Sequence, residues 1–130
     1  MTEQTPMVIL AAGGTGGHMF PAEALAAELS GRGCRLAVVT DRRGESWQGA
    51  LDGIETHRIR AGGIAGKSFA ARLQSGPELA IGTWQARGIL KRLRPAAVVG
   101  FGGYASVPTM LAACFGGYHT AIHEQNAILG

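Results

Sequence analysis

Short unbroken apolar runs recur along the chain and predict strands that are buried on both faces. Such runs lack the polar alternation of a half-exposed strand and are typical of parallel sheets. The strongest are MVILAA at 7–12, RLAVVT at 35–40 and PAAVVG at 95–100. Weaker candidates cover 53–60 and 119–123.

Segments with helical periodicity separate these runs. A first helix is predicted to begin within or just after the glycine loop at 11–21, and Gly31 and Gly33 are predicted to end it. A longer apolar pattern over 77–93 starts with a proline and predicts a second helix. Before it, a basic loop is expected to lead into residues 69–73. A third helix is expected from about 107 to 115. Strands that alternate with helices indicate an α/β fold with a Rossmann-like, doubly wound parallel sheet.

Glycine-rich or polar segments follow three of the predicted strands. Four glycines within residues 13–17 allow positive φ and a close approach of backbone N–H groups to a ligand. Because a helix begins there, the turn favours an anion such as a phosphate. GFGGYAS at 100–106 and HEQN at 123–126 follow two other strands. Parallel strands end at a common edge, so the three segments are predicted to converge on one cleft.

Two nucleotide-binding motifs are only partly matched. The first turn departs from G-x-G-x-x-G, because Thr15 occupies the second glycine position when the motif starts at Gly13. Residues 61–68 depart from G-x-x-x-x-G-K-S at Ala61, so nucleotide hydrolysis is not expected there. Asp41 could bind a ribose and the two arginines after it a 2′-phosphate. A nicotinamide-type or other nucleotide-binding Rossmann domain is therefore the alternative interpretation.

Composition is that of one ordinary globular domain, with 130 residues of which 46% are apolar and 16% charged. There is no apolar run of about 18 residues and no signal-peptide pattern, so neither a membrane span nor secretion is expected. Cys34 and Cys114 fit no metal or redox spacing, and we expect buried, reduced thiols. No metal site is expected.

Basic residues are concentrated between Thr56 and Arg94, where eight lysines and arginines accompany the single acid Glu78. The rest of the chain has four basic and eight acidic residues. This segregation predicts an anionic partner, such as phosphate, nucleic acid or anionic lipid, unless the charges only form a solvated face.

Apolar side chains accompany these basic residues. Ile81 and Trp84 lie away from the core side of the helix predicted over 77–93, and Phe69 and Leu73 come shortly before it. They either pack beneath the 61–76 loop or insert partly into an anionic bilayer, which attracts the cations around them.

Three motifs together resemble the amino-terminal half of the MurG family of bacterial glycosyltransferases. They are GGTGGHMFPA at 13–22, GFGGYAS at 100–106 and HEQNAILG at 123–130, and the similarity covers nearly the whole chain from Met7. The resemblance implies a fold of the GT-B type. Residues 1–130 then form a nearly complete amino-terminal, acceptor-binding domain, and a carboxy-terminal domain for the UDP-sugar donor lies outside this chain.

The resemblance implies an inverting transfer of N-acetylglucosamine from UDP-N-acetylglucosamine to the C4 hydroxyl of the muramoyl sugar of lipid I. The product is lipid II, for the peptidoglycan that sets cell shape and allows division. The transfer needs a base for the hydroxyl and stabilisation of the departing diphosphate. No cofactor and no nucleic acid are implied. Because the acceptor is a lipid, we expect a peripheral protein on the cytoplasmic face of the inner membrane, and the isolated fragment is expected to be inactive.

The resemblance also implies roles for individual residues. His18 is the candidate base, because an imidazole pKa of roughly 6.5 permits proton uptake near neutral pH, although it equally suits ligand binding or a hydrogen bond that holds the loop. Glu124 is a second choice. Donor contacts are expected at Thr15, Gly16, Gly17 and Asn126. Contacts to the acceptor diphosphate are expected at Gly13, Gly14, Gly102, Gly103 and Tyr104. An apolar–basic patch for the membrane comprises Lys67, Phe69, Arg72, Leu73, Ile81, Trp84 and Arg87.

Overall fold

A computed structural model describes residues 5–13, 16–41, 53–60, 69–102 and 106–123, with side chains throughout except at 16–18 and 69–75. Within these ranges the strands are β1 (Met7–Ala11), β2 (Arg35–Thr40), β3 (Glu55–Arg58), β4 (Ala97–Gly100) and β5 (Thr120–Ile122). The helices there are α1 (Gly16–Gly31), α2 (Phe69–Leu93) and α3 (Ser106–Phe115).

The described strands form one parallel sheet in the order β3-β2-β1-β4-β5. The chain builds outward from β1 to β3 and then crosses back to place β4 on the other side of β1. This reversal is the topological switch point of a doubly wound sheet, where ligands bind beyond the carboxyl ends of the strands. The predicted fold class is confirmed.

Both faces of the sheet are covered by helices. Side chains of a strand point alternately to opposite faces, so Ile9 of β1 packs with α2 and α3 while Leu10 packs with α1. Neither side chain exposes any area. The helix residues that pack on the sheet are apolar and have no branch at Cβ. They are Ala86 and Leu90 of α2, Ala112 and Ala113 of α3, and Met19, Ala22 and Ala26 of α1.

Helix α2 begins at Phe69, well before the predicted start at Pro77. A proline inside a helix removes one hydrogen bond, here the one to the Leu73 carbonyl, but the residues before it can still be helical. The segment from Phe69 is rich in alanine, arginine, leucine and glutamine, which are strong helix formers. The prediction that 69–73 lie in a loop segment before the helix is therefore wrong.

The expectation of two buried thiols is also wrong. Cys114 is exposed and Cys34 is half-buried, and neither forms a disulfide. Cys114 follows Ala112 and Ala113, which face the sheet, so its own side chain points away from the core. In a helix, apolar neighbours in the sequence are a poor indicator that a residue is buried, because only one side of the helix packs on the sheet.

Gly82 lets α2 pack closely against the chain that follows β3. A Cβ built on Gly82 would collide with the Arg60 carbonyl group and lie 3.2 Å from Pro108 Cγ of α3. One turn further along α2, the Gln85 side chain accepts a hydrogen bond from the Arg60 N–H at 2.9 Å. These contacts hold the segment after β3 against α2. At Gly82 the two backbones lie so close together that a side chain would not fit between them.

We expect Gly82→Ala to destabilise the protein by about 1–3 kcal/mol, because the obstructing Arg60 atoms belong to the backbone and cannot rotate away. Gly88→Ala is the matched control on the same helix. Gly88 is exposed, and a Cβ added there would meet nothing within 4 Å. The Gly88→Ala variant should therefore be more stable by about 1 kcal/mol, because alanine has the higher helix propensity. Urea unfolding measures both changes, and a Gly82→Ala midpoint equal to that of the wild type would contradict the close approach.

Candidate functional site

The first two glycine turns are joined directly by backbone hydrogen bonds. In the register of β1 and β4, Ala11 lies beside Gly100, so the two chains leave the sheet side by side. The Phe101 N–H donates to the Ala11 carbonyl at 2.9 Å, and the Gly13 N–H donates to the Gly102 carbonyl at 3.3 Å. Gly102 has a φ of 91°, in the left-handed region that glycine adopts most readily.

The segment after β5 reaches the same edge. The His123 N–H donates to the Gly100 carbonyl at 2.8 Å, and the His123 ring lies 5.8 Å from the ring of Phe101, centroid to centroid. The predicted convergence of three segments is therefore confirmed for their described parts. No periodicity or motif pairs residues from separate loops, so the contact between Phe101 and His123 was not predicted from the sequence.

Helix α1 begins inside the glycine run, at Gly16, so Gly16, Gly17 and His18 form its first turn. The N–H groups of a first turn have no acceptor within the helix, and the helix dipole favours negative charge beside them. Met19 and Ala22, both buried, hold this end of the helix against the sheet. The arrangement is suited to binding a phosphate or diphosphate group.

Several predicted site residues lie outside the described residues, and their placement stays a prediction. They are Gly14, Thr15, Lys67, Gly103, Tyr104, Glu124 and Asn126. Of the predicted positions that are described, Gly13, Gly102 and the first turn of α1 all lie at the carboxyl edge of the sheet.

Asp41 follows β2 at the same edge and is only 4% exposed. The dinucleotide alternative would use this carboxylate to bind a ribose. Because the side chain presents so little surface, the geometry does not favour that role. Among the described residues, no group of three or more His, Cys, Asp or Glu side chains is placed to hold a metal ion.

The outer face of α2 carries part of the apolar–basic patch. Trp84 is 76% exposed and Ile81 37%. Residues 61–68, beneath which these side chains were alternatively expected to pack, lie outside the described residues. Trp84, Arg87 and Lys91 surround an open depression of about 380 Å³ beside Gly88. Phe69, Arg72 and Leu73 belong to the first turns of the same helix. No helix in the described ranges is long and apolar enough to cross a bilayer.

Comparison with known proteins links this architecture to glycosyl transfer. Residues 8–130 match the sequence profile of the glycosyltransferase family 28 N-terminal domain. The chain is 62% identical over its full length to the UDP-N-acetylglucosamine--N-acetylmuramyl-(pentapeptide) pyrophosphoryl-undecaprenol N-acetylglucosamine transferase of Paramagnetospirillum magneticum, 35% of which it covers. It is 58% identical to the protein of the same name from Rhodospirillum rubrum, over 95% of this chain and 32% of that protein.

A solved structure gives the same result. The crystal structure of Acinetobacter baumannii MurG matches 98% of this chain with a TM-score of 0.79 and 35% sequence identity, and 37% of that chain is covered. The chain thus spans about a third of the length of the relatives that it matches.

We expect Gly102→Ala to weaken the link between the two glycine turns, because a Cβ at this φ costs roughly 1–2 kcal/mol. Hydrogen exchange of the Gly13 amide, which donates to Gly102, should become faster in this variant. Gly117→Ala is the control, since Gly117 has a similar φ of 75° in the turn after α3. It should lose comparable stability and keep the relative protection of Gly13. Equal protection of Gly13 in the two variants would contradict the link.

Proposed function

Because the chain belongs to the glycosyltransferase family 28 N-terminal domains, we propose that the complete protein transfers N-acetylglucosamine from UDP-N-acetylglucosamine to lipid I. The observation that supports this most directly is the hydrogen bond from Gly13 to Gly102, which brings two glycine turns together beside the first turn of α1. The reaction is an inverting displacement, and this chain forms the acceptor-binding domain of a GT-B enzyme.

In this proposal the acceptor diphosphate lies between the two glycine turns. Backbone N–H groups of the first turn of α1 bind the negative charge, and Gly13, Gly14 and residues 102–104 line it, while the Gly13 N–H itself donates to Gly102. The described part of this site is held in place before the ligand arrives, by the hydrogen bond from Gly13 to Gly102 and by the packing of Met19 and Ala22. Little free energy is therefore lost in orienting it. The donor is held mainly by a further domain, with contacts from Thr15, Gly16, Gly17 and Asn126 on this side.

His18 is proposed to accept the proton of the attacking C4 hydroxyl. It lies in the first turn of α1, beside the glycine turns, and a neutral imidazole can take a proton at physiological pH. As the C4 oxygen bonds to the anomeric carbon, the bond to the UDP oxygen breaks and the diphosphate carries the charge away. The proton and the leaving group therefore depart at separate places in the cleft.

The membrane surface is the third partner in the proposal. The exposed side chains of Trp84, Ile81 and Arg87 lie on the outer face of α2, away from Ala86 and Leu90, which pack against the sheet. A large apolar side chain with cations beside it can insert into an anionic leaflet while the cations contact the headgroups. The protein would then be peripheral on the cytoplasmic leaflet, where the acceptor lipid is found.

We expect His18→Ala in the full-length enzyme to lower kcat by about 10²–10⁴-fold, the usual contribution of a general base. The assay uses UDP-N-acetylglucosamine and a soluble lipid I analogue. His119→Ala, an exposed histidine just before β5, is the control and should keep wild-type activity. An unchanged kcat with a raised KM would assign His18 to ligand binding, and unchanged kinetics would remove it from the site.

We expect Trp84→Ala combined with Ile81→Ala to weaken binding of the full-length protein to anionic vesicles by about tenfold, from the apolar area that no longer enters the bilayer. Phe20→Ala is the matched control, because Phe20 is an exposed aromatic residue, 72% accessible, on α1 at the opposite face of the sheet. Co-sedimentation with vesicles measures the loss. Equal sedimentation of the wild type with neutral and anionic vesicles would overturn the membrane proposal.

A further inference from the structure

We infer that His123 is a positioning residue, which acts through Phe101 to fix the second glycine turn. The inference rests on the proposed function, because it assigns His123 a part in holding the acceptor site. Two observations carry it. The backbone N–H of His123 donates to the Gly100 carbonyl at 2.8 Å, and its ring lies 5.8 Å from the Phe101 ring at an interplanar angle of 36°.

Phe101 is the point at which the second turn is anchored in the core. It is 3% exposed and belongs to the apolar cluster that contains Met19 and Ala22 of α1. Its N–H also donates to the carbonyl of Ala11, at the end of β1. The ring of Phe101 therefore connects the second turn with the helix whose first turn carries His18.

The turn itself offers little resistance to distortion. Phe101 lies between Gly100 and Gly102, and glycine permits more backbone conformations than any other residue. Gly102 then accepts the hydrogen bond from Gly13, so the separation of the two glycine turns depends on where Phe101 is held. Because β5 places the His123 ring beside the ring of Phe101, the fifth strand contributes to the geometry of a site built mainly by the first and fourth strands.

The ring, rather than a proton, is the feature of His123 that the site uses. The side chain of His123 is exposed to solvent, and its ring lies in a tilted arrangement against the ring of Phe101. Tilted aromatic pairs of this separation are favourable. An aromatic side chain without titratable atoms should therefore replace the histidine.

The test compares His123→Ala, His123→Phe and His123→Gln in the full-length enzyme. Loss of an aromatic contact of this kind should lower kcat/KM for the lipid I analogue about three- to tenfold in the Ala and Gln variants. The change is expected in the acceptor KM, with kcat nearly unchanged, since the reacting groups are not touched. His123→Phe should retain activity close to the wild type.

A double-mutant cycle tests the route through Phe101. In a Phe101→Leu background, His123→Ala should cause no further rise in the acceptor KM, because the ring contact is already absent. An additive loss would overturn the route. Retained activity in His123→Gln, together with loss of activity in His123→Phe, would overturn the positioning role. That result would mean that the polar atoms of the histidine side chain matter and the aromatic ring does not.

The wild-type enzyme distinguishes a failure of the proposed function from a failure of the positioning role. If the full-length wild-type enzyme transfers no N-acetylglucosamine, the proposed function fails, and hydrogen exchange then tests the positioning role alone. His123→Ala should accelerate exchange of the Gly13 amide while His123→Phe leaves it protected. Equal protection of Gly13 in the wild type and in His123→Ala would overturn the positioning role, whatever the activity.

Discussion

The burial of β1 on both faces is the constraint on which the rest of the structure depends. Ile9, Leu10 and Ala11 expose no area, so helices must cover both sides of the sheet and strands must pair along both edges of β1. Pairing with β2 on one side and β4 on the other makes β1 the central strand. The switch point, and with it the cleft, follows from this position.

The site that results is built largely from backbone. Parallel strands deliver their carboxyl ends to one edge, and glycines there let the chains of β1 and β4 run within hydrogen-bond distance of each other. Groups that bind an anion in this way are already oriented, but glycine turns contribute little rigidity of their own. Their geometry therefore depends on packed side chains beneath them, chiefly Met19 and Phe101.

Helix α2 has a packed side and an exposed side. Ala86 and Leu90 pack on the sheet, Gly82 admits the backbone at Arg60, and Trp84 faces outward. A helix repeats every 3.6 residues, so Gly82, Ala86 and Leu90 lie on one side at intervals of four, whereas Trp84, two residues from Gly82 and from Ala86, lies on the other. The basic outer face is thus fixed by the same packing that orients the cleft. In the proposed function, the membrane surface and the acceptor site would therefore keep a constant position relative to each other.

The sequence by itself determined the local elements, because their signals lie within a few residues. Strand β2 was predicted at 35–40 and occupies those residues, and α1 ends at Gly31, the first of the two glycines expected to end it. The doubly wound fold and the convergence of the three segments followed from the alternation of strands and helices. The family motifs at 13–22 and 100–106 indicated the chemistry.

Tertiary structure decided what depends on partners distant in the chain. The exposure of Cys114 and the close approach of Gly82 to Arg60 are set by packing against the sheet and α3. The contact of His123 with Phe101 joins two loops that have no common sequence pattern. Periodicity records which side of an element is apolar, but only the folded chain determines which residues meet there.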